Sequence, residues 1–283
     1  MSDQTSRPRV IAVTSGKGGV GKTNIAVNLA VSLRLLGARV LLLDADMGLG
    51  NVDVLLGLNA RYDLRDVLLH GKALEHAVMD GPRGVKILPA PSGVEAMTRL
   101  TDEQIEKFLG ELLLHCGGID YIVADTAPGI GPAVVKCLLA ADEIMLVTNP
   151  EPTALTDAYA VLKLLSLRSE AGSKAAFVVM NQTESKEEAL GSFDRLRRAA
   201  RRFLGWHPEY LGSVCRDETV GLATRRQVDF LTHYTAAPCS RDVRKLAARL
   251  VSSHRPGAEG MGRFFKRMME PSDEQLSEEH RVA

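Results

Sequence analysis

The chain has 283 residues, 45% of them hydrophobic, which is enough to bury the core of one large α/β domain or two small domains. Its formal net charge is zero, so overall charge gives no argument for a nucleic-acid partner. None of its apolar runs approaches the roughly 20 residues that a membrane-spanning helix needs. We therefore expect no integral membrane protein, although the protein could still bind a membrane surface.

Segments with the patterns of strands and helices alternate along the chain. In chain order, we predict a strand over 9–15, a helix over 23–36, a strand over 39–43, helices over 64–70 and 73–79, a strand over 85–90, a helix over 102–115, strands over 121–124 and 144–148, a helix over 153–168, a strand over 175–180, a helix over 185–203, a strand over 210–214 and a helix over 240–253. This alternation predicts an α/β fold with a single doubly wound, mostly parallel sheet and helices on both faces. The predicted domain covers 9–253, between a flexible segment over 1–8 and a linker over 254–260, and an acidic tail covers 271–283.

The four cysteines lack the CxxC or mixed Cys/His spacing of metal sites. Because the sequence shows no signal peptide, we expect buried or free thiols in a reducing cytoplasm. These residues are Cys116, Cys137, Cys215 and Cys239.

A glycine-rich loop lies between the first predicted strand and the first predicted helix. Its sequence, GKGGVGKT, fits the pattern G-x-x-x-x-G-K-[ST]. Glycines let backbone N–H groups turn toward phosphate oxygens, and the following helix adds the positive end of its dipole. Lys22 can reach the β- and γ-phosphates, and the Thr23 hydroxyl can bind Mg²⁺. We predict a P-loop that contacts the nucleotide through Gly16, Lys17, Gly18, Gly19, Val20, Gly21, Lys22 and Thr23.

Polar residues follow several other predicted strands. Asp44 and Asp46 follow the second strand, Asp125 follows the strand over 121–124, and Asn181 follows the strand over 175–180. Since ligands of parallel sheets bind at the carboxyl ends of the strands, we expect these residues to lie near the P-loop. Carboxylates there can bind Mg²⁺ and orient an attacking water. Each aspartate could instead cap a helix or a turn.

Lys17 is a second lysine in a loop that needs only one for its own phosphates. In this feature the sequence resembles the MinD/ParA family of P-loop ATPases, with its KGGxGK[ST] pattern. The resemblance implies ATP and Mg²⁺ as ligands and a homodimer in the ATP-bound state. It also implies that Lys17 reaches the nucleotide of the opposite subunit, as an arginine finger does elsewhere.

The same resemblance implies roles for the residues at the strand ends. Asp46 would position the hydrolytic water, and Asp125 would be the Walker B residue, touching Mg²⁺ through water. Asp44 would support a switch segment. The implied catalytic residues are Lys17, Lys22 and Asp46, the implied metal site is Thr23, Asp46 and Asp125, and the implied switch residues are Asp44, Asn51, Thr126 and Gly129.

The base of the nucleotide would be read by an amide. Asn181 is the predicted contact to the adenine edge, and Asn24 is expected among the ATP-binding residues. The family usually has a second base contact in a Pro-x-Asp sequence, whereas this chain has Cys215-Arg216-Asp217, so Asp217 is predicted without the usual proline. The Asn-Lys-x-Asp signature of GTPases is absent over 181–184, which favours ATP.

Three stretches narrow the resemblance to one branch: LDADMGLGNVDVLLGL over 43–58, TAPGIG over 126–131 and EPTALTDAY over 151–159. They are similar to the FlhG (FleN) ATPases, which regulate flagellar number and placement, and the similarity extends over about 9–269. The resemblance implies a membrane-associated switch with slow, partner-stimulated hydrolysis. The implied partners are an FlhF-type GTPase, flagellar switch proteins or a flagellar transcription regulator.

The segment over 261–270 has the pattern of an interfacial amphipathic helix. At about 100° per residue, its aromatic and methionine side chains share one arc and its basic side chains lie opposite. Two copies in a dimer would bind an anionic membrane far more strongly than one, which predicts a peripheral position on the inner face of the cell membrane. The alternative is an ordinary helix packed on the domain. The candidate membrane residues are Phe264, Phe265, Lys266, Arg267, Met268 and Met269.

Two further features leave alternatives open. Asp3, Gln4 and Arg9 match a DQAxxLR activator motif of some FlhG proteins, although Pro8 would break a helix and a chance match explains the residues equally well. The helix over 185–203 carries a group of arginines, which form either a solvated face or a surface for anionic lipid or DNA. We do not expect DNA as a partner. These arginines are Arg195, Arg197, Arg198, Arg201 and Arg202.

Three other classes compete with this interpretation. A MinD- or ParA-type ATPase that positions the division site or DNA would share the chemistry and differ in its partner. A metal-cluster ATPase would need cysteines that bridge a dimer, and the spacing of Cys116 and Cys137 does not match that pattern. A module that binds nucleotide without hydrolysing it would not need Asp46.

Overall fold

The computed structural model describes residues 8–46, 50–89, 107–112, 118–168, 175–253 and 260–269. Within them, one sheet has the strand order β3-β4-β2-β5-β1-β6-β7-β8, and all neighbours are parallel except β3, which is antiparallel to β4. The predicted α/β fold with a single, mostly parallel sheet is confirmed. The strands are β1 (Arg9–Thr14), β2 (Val40–Ala45), β3 (Met79–Asp80), β4 (Lys86–Leu88), β5 (Tyr121–Thr126), β6 (Glu143–Thr148), β7 (Ala175–Thr183) and β8 (Glu209–Cys215).

Helices cover both faces of this sheet, and an apolar layer lies on each side. The central strands are nearly continuous apolar runs because both of their faces are buried. One face carries α3 (Leu64–His70), α4 (107–112), α5 (Pro132–Ala140), α6 (Pro152–Ser166), α7 (Lys186–Leu204) and α11 (Gly260–Met269). The other face carries α1 (Lys22–Leu35), α2 (Val52–Leu55), α8 (Glu218–Arg225), α9 (Phe230–His233) and α10 (Pro238–Ser252).

The predicted helix over 73–79 is wrong. The structure has a single 3₁₀ turn over Leu74–His76, followed by the edge strand β3. Leu74 and Ala77 are the buried residues of this stretch, and a three-residue spacing suits a 3₁₀ turn as well as an α-helix. Pairing of Met79 with Ile87 in β4 then takes the chain into the sheet.

Three strands extend further than predicted, so that Asp44, Asp125 and Asn181 lie within the strands, among their last three residues, rather than in the following loops. Asp44 lies opposite Asp125, and Asp125 also lies opposite Val13 of β1. The register therefore places two buried carboxylates side by side at the carboxyl edge of the sheet, next to the loop that follows β1.

Candidate functional site

The glycine-rich loop connects the end of β1 to the start of α1. Gly19 and Gly21 have φ values of 81° and 87°, a left-handed conformation that residues with a Cβ adopt only with strain. A Cβ on Gly16 would overlap the backbone of α6, and one on Gly21 would overlap the amide of Asn181. Because α1 begins at Lys22, its unpaired N–H groups and positive end meet the loop. The loop therefore has the conformation of a phosphate cradle.

Lys22 and Asp125 form a buried ion pair beside this loop. Nζ of Lys22 lies 2.5 Å from Oδ1 of Asp125 and 3.4 Å from Oγ1 of Thr23. Burial raises the pKa of Asp125, the Lys22 ammonium opposes this shift, and the charge of Asp46 adds to it. The predicted phosphate-binding lysine, the predicted Walker B aspartate and the predicted metal-binding hydroxyl are thus in one place.

Asp44 holds the segment that follows β2. Its carboxylate accepts hydrogen bonds from the N–H groups of Asp46 (3.1 Å), Asn51 (2.9 Å) and Val52 (3.1 Å), the last of which begins α2. Burial raises the pKa of Asp44 to about 6; the N–H of Val52 opposes this shift and the charge of Asp125 adds to it. Asp46 and Asn51 line the cavity described below, beside residues 47–49, which lie outside the described part of the chain.

The predicted switch residues Thr126 and Gly129 lie at the end of β5 and just after it, and they are connected to the region of the P-loop. Oγ1 of the buried Thr126 lies 3.2 Å from the carbonyl oxygen of Val13 and 2.9 Å from that of Ala127. Gly129, with φ 94°, donates its N–H to the carbonyl oxygen of Ser15 at 2.7 Å. This segment leads directly into α5, so the hydrogen bond between Gly129 and Ser15 connects the start of the P-loop to that helix.

Lys17 has different neighbours from Lys22. Its Nζ donates to Oε2 of Glu151 at 2.9 Å and to Oγ1 of Thr153 at 3.0 Å, at the start of α6. Both members of this ion pair are exposed, and the hydrogen bond from Lys17 lowers the pKa of Glu151. Neither Glu151 nor Thr153 was predicted at the site, although both lie in the stretch over 151–159 that resembles the FlhG ATPases.

Two consecutive amides at the end of β7 bind carbonyl groups of the P-loop. Nδ2 of Asn181 donates to Val20 at 2.7 Å, and Nε2 of Gln182 donates to Gly19 at 3.2 Å. Oε1 of Gln182 accepts from Nδ2 of Asn149 at 3.1 Å. Asn181 was predicted at the site, whereas Gln182 and Asn149 were not, because neither residue belongs to a motif that the sequence analysis used.

Asp217 lines the same cavity but serves mainly as a helix cap. Its carboxylate accepts from the N–H (2.9 Å) and the hydroxyl of Thr219, and from the N–H of Cys239 (3.2 Å). Burial acts to raise the pKa of Asp217, but these hydrogen bonds lower it overall. Asp217 is therefore the N-cap residue of α8.

Residues of the P-loop, of the segment after β2 and of the ends of β7 and β8 line a cavity of about 640 Å³, a size typical of small-molecule sites. In the described part of the chain, no group of three His, Cys, Asp or Glu residues could hold a metal ion. Mg²⁺ bound together with phosphates takes only one or two protein ligands and keeps several waters, and Thr23 and Asp46 in the cavity wall are oxygen donors of the kind it binds. The predicted site residues among its walls are Gly18, Gly19, Gly21, Lys22, Thr23, Asn24, Asp46, Asn51, Asn181 and Asp217.

The C-terminal helix α11 packs on the domain through its apolar face. It lies against α5 and β1, and the ring of Phe265 meets that of Phe108 in α4 at a centroid distance of 5.1 Å. Arg263 and Lys266 are exposed, and Nη1 of Arg267 donates to the carbonyl oxygen of Leu139 in α5 at 3.4 Å. Among the described residues, no helix is long and apolar enough to cross a membrane. The buried side chains of α11 are Met261, Phe264, Phe265, Met268 and Met269.

Arg9 is a structural residue. Its Nη2 lies 2.6 and 2.8 Å from the carboxylate oxygens of Glu143, and its Nη1 donates to the carbonyl oxygen of Leu250 at 3.0 Å. The contacts of Arg9 are thus all within the domain, and the activator motif stays a prediction. Asp3 and Gln4 lie outside the described residues.

The arginines of α7 remain open to both interpretations. All five are exposed, Arg197 pairs with Asp194 at 2.8 Å, and Arg195 donates to Ser192 at 2.9 Å. A solvated helix face explains these contacts without a partner.

Comparison with known proteins agrees with this geometry. The family model described as an AAA domain matches residues 8–174, more than half of the chain. The antiactivator FleN of Pseudomonas aeruginosa is 44% identical over 219 residues, which cover 77% of this chain and 78% of FleN. The flagellum site-determining protein YlxH of Helicobacter pylori is 33% identical over 277 residues, which cover 94% of this chain and 92% of YlxH.

Solved structures show the same fold. A chain of the MinC:MinD cell division complex of Aquifex aeolicus has a TM-score of 0.69 and 30% identity, covering 88% of this chain and 98% of that chain. MinD of Pyrococcus horikoshii, complexed with Mg-ADP, has a TM-score of 0.67 and 26% identity, covering 86% of this chain and 96% of that chain. The chain is therefore a P-loop ATPase of the MinD/ParA family and belongs to its branch of flagellar regulators, with FleN and YlxH.

Proposed function

We propose that this ATPase is an ATP-dependent dimerising switch that binds the membrane as a dimer and regulates flagellar number or placement. The observation that carries the proposal is the separation of the two P-loop lysines. Lys22 is buried beside Asp125, whereas Lys17 is exposed and held by Glu151 and Thr153. A cation that is not committed to its own phosphate cradle is suited to act on the nucleotide of a second subunit, as an arginine finger does.

Within one subunit, the residues divide the chemistry of ATP hydrolysis. The loop N–H groups and Lys22 bind the phosphates, and Asp46 orients the attacking water. Thr23, Asp46 and Asp125 would hold Mg²⁺, with Asp125 acting through water; when bound, the ion neutralises charge on the phosphates. Lys17 of the opposite subunit completes the site, so turnover is slow until two subunits and a stimulating partner meet.

Asn181 supports ATP over GTP as the substrate. One N–H of its NH₂ group donates to the carbonyl of Val20, and its oxygen is an acceptor that can face the base. An acceptor matches the 6-amino group of adenine and does not match the 6-carbonyl of guanine. Asp217 is the second candidate for the base, although its carboxylate already accepts hydrogen bonds from Thr219 and Cys239.

The burial of α11 supports a membrane switch. Its aromatic and methionine face is stored against α5 and β1, while Arg263 and Lys266 remain exposed. In the ATP-bound dimer, we propose that two copies of α11 leave this position and insert into the anionic inner face of the cell membrane. One short helix binds weakly, and two linked copies bind far more strongly.

The flagellar role rests on the relatives. FleN is named an antiactivator and YlxH a flagellum site-determining protein. Partners that suit a flagellar regulator are an FlhF-type GTPase, flagellar switch proteins or a flagellar transcription regulator. Any of them would set the rate of ATP hydrolysis. A second candidate, a MinD- or ParA-type positioning role, is favoured by the similarity to MinD. Flagellar genes beside the coding sequence would support the first role, and min or par partners would support the second.

Liposome sedimentation tests the switch. Full-length protein and a chain that ends at Gly260 are mixed with anionic vesicles and either ATP or ADP. We expect the full-length protein to sediment with vesicles in ATP and to stay mostly in the supernatant in ADP, and the shorter chain to stay in the supernatant in both. Equal binding in ADP, or binding that persists after truncation, would contradict the proposal.

A further inference from the structure

The end of β7 departs from a regular strand in a way that brings two side chains to the P-loop. In a regular strand, successive side chains point to opposite faces, yet Asn181 and Gln182 both donate to P-loop carbonyls. Opposite β8, the pairing changes from Met180 with Ser213 to Thr183 with Cys215, so β7 contains one extra residue there. Gln182 itself has φ 56°, which residues with a Cβ rarely adopt.

This irregularity has a consequence for phosphate binding. The carbonyl groups of Gly19 and Val20 are fixed by the two amides, on the side of the loop that faces β7. A loop whose carbonyls are bound on one side can keep its N–H groups directed to the other side, where phosphate oxygens are bound. A strained residue beside a ligand cavity persists only when several contacts determine its position. Gln182 has two such contacts, because its Nε2 and its Oε1 each form a hydrogen bond.

The second contact of Gln182 leads to Lys17. Its Oε1 accepts from Nδ2 of Asn149 at 3.1 Å, and Oδ1 of Asn149 accepts from the N–H of Glu151 at 3.2 Å. Oε2 of Glu151 then accepts from Nζ of Lys17 at 2.9 Å. Four hydrogen bonds thus join Gly19 to Lys17, two residues of the same loop, by way of β7, the end of β6 and the start of α6.

We propose that Gln182 is a positioning residue of the ATPase with two effects. It fixes the Gly19 peptide for phosphate binding, and through Asn149 and Glu151 it retains Lys17 on its own subunit until a second subunit arrives. The first effect concerns the monomer alone. The second rests on the proposed function, because it assumes that Lys17 acts across a dimer.

Binding of Mg-ADP, measured by calorimetry on the full chain at low protein concentration, tests the first effect. Gln182→Ala removes one hydrogen bond to the loop, which is expected to weaken ADP about three- to tenfold. Gln227→Ala is the matched control: Gln227 has φ 53° and donates Nε2 to the carbonyl of Val54 at 2.9 Å, but it lies outside the nucleotide cavity. We expect no change for this control.

Gln182→Gly distinguishes the effect of losing the side-chain amide from the effect of the strained backbone. Glycine tolerates positive φ, so the variant loses the hydrogen bond without strain and should also bind ADP about three- to tenfold more weakly than the wild type. Wild-type affinity in Gln182→Gly would overturn the positioning role, as would equal affinities for Gln182→Ala and Gln227→Ala.

The second effect is measured as dimerisation by analytical ultracentrifugation in saturating ATP. Asn149→Ala should release Lys17 and lower the protein concentration at which half of the protein is dimeric about three- to tenfold. Because Gln182 keeps its own hydrogen bond to Gly19 in this variant, ADP binding should weaken less than in Gln182→Ala. Gln182→Ala with Asn149→Ala should shift dimerisation no further than either change alone, because both break the same chain of bonds. Dimerisation of both single variants equal to that of Gln227→Ala would overturn the connection to Lys17.

Dimerisation of Lys17→Ala, measured by the same ultracentrifugation, distinguishes a failure of the proposed dimer switch from a failure of the proposed role of Gln182. If this variant dimerises like the wild type, the role of Lys17 across the dimer is wrong and the second effect fails with it, while the ADP measurements still decide the first. If Lys17→Ala dimerises poorly and the Asn149 and Gln182 variants match the control, only the second effect is wrong.

Discussion

Asp44 combines burial with three hydrogen bonds from backbone N–H groups, and its pKa is raised from 3.8 to about 6. The folded protein therefore binds this proton more tightly than the unfolded chain, so stability falls as pH rises through this interval and is constant above it. Between pH 5 and 7.5, the loss from this group is roughly 1.4 kcal/mol. Urea unfolding of the nucleotide-free protein at both pH values measures it.

The control for this prediction is Asp44→Asn, which cannot titrate. Carboxyl groups that do not interact with Asp44 contribute equally to both proteins, so the difference between their pH dependences isolates Asp44 and its interaction with Asp125. Equal dependences in wild type and variant would show that the carboxylate is already ionised at pH 5, with its three N–H bonds outweighing the cost of burial.

Arg9 and Glu143 form an ion pair that is buried on both sides, with 7% and 6% of the side chains exposed. Glu143→Gln leaves a buried guanidinium without its counter-charge, and we expect a loss of about 3 kcal/mol in the free energy of unfolding. Asp80→Asn is the matched control, since Asp80 and Lys86 also approach to 2.6 Å but are exposed. That change should cost about 0–1 kcal/mol, and similar losses in both variants would contradict the prediction.

The residues that would contact the nucleotide or the metal ion could be predicted from the sequence. The residues that hold them in position could not. Lys22, Asp125 and Asn181 follow apolar runs or belong to a motif, so their places at the carboxyl edge were predictable. Gln182 and Asn149 act only through hydrogen bonds across the sheet. Such bonds depend on strand order and on a bulge, which local patterns do not contain.

At the scale of elements, α11 depends on a few large side chains for its position. Phe265 is fully buried and contacts Phe108 and Phe264. Replacing a buried phenylalanine with alanine costs about 3–5 kcal/mol, which a helix of ten residues cannot recover from its own backbone. We expect Phe265→Ala to release α11, seen as amide hydrogen exchange on the order of 100-fold faster in this helix alone.

Lys266→Ala is the control for this prediction, because Lys266 is exposed on the same helix. It should leave exchange in α11 unchanged. Unchanged exchange in Phe265→Ala as well would mean that the remaining apolar residues hold the helix, and that its release needs a larger change in the groove beneath it.

Two physical causes explain why the sequence patterns missed α2, α5 and α9. The sequence of α5, PAVVKCLLA, is apolar nearly all round, so it has no clear helical period. The segments α2 and α9 span only one turn each. Elements with a strong period, such as α7, were predicted almost to the residue.

At the scale of the whole molecule, α5 connects the two functional regions. It begins just after Gly129, whose N–H binds the carbonyl of Ser15 beside the P-loop, and it forms part of the surface under α11. Arg267 also bonds to the carbonyl of Leu139, at the other end of α5. A nucleotide-dependent shift of this short helix would therefore change the position of α11, which gives the proposed switch a physical path from the cavity to the membrane.

A mixing experiment decides whether two copies of the chain form each active site. Lys17→Ala lacks the lysine offered to a partner, and Asp46→Ala lacks the residue that orients water in its own site. We expect each variant alone to hydrolyse ATP at a small fraction of the wild-type rate. In a mixed dimer, the Lys17→Ala subunit keeps its Asp46 and receives Lys17 from the Asp46→Ala subunit, so one of the two sites is complete.

An equal mixture forms mixed dimers in about half of the pairs, each with one active site, so turnover should recover to about a quarter of the wild-type rate. The recovery should disappear on dilution, because it depends on pairing of subunits. A double variant that carries both changes on one chain, mixed with Asp46→Ala, is the control: neither chain then has Asp46, so no site in any dimer is complete. If the first mixture shows no more activity than this control, Lys17 acts within its own subunit and the dimer is not required for chemistry.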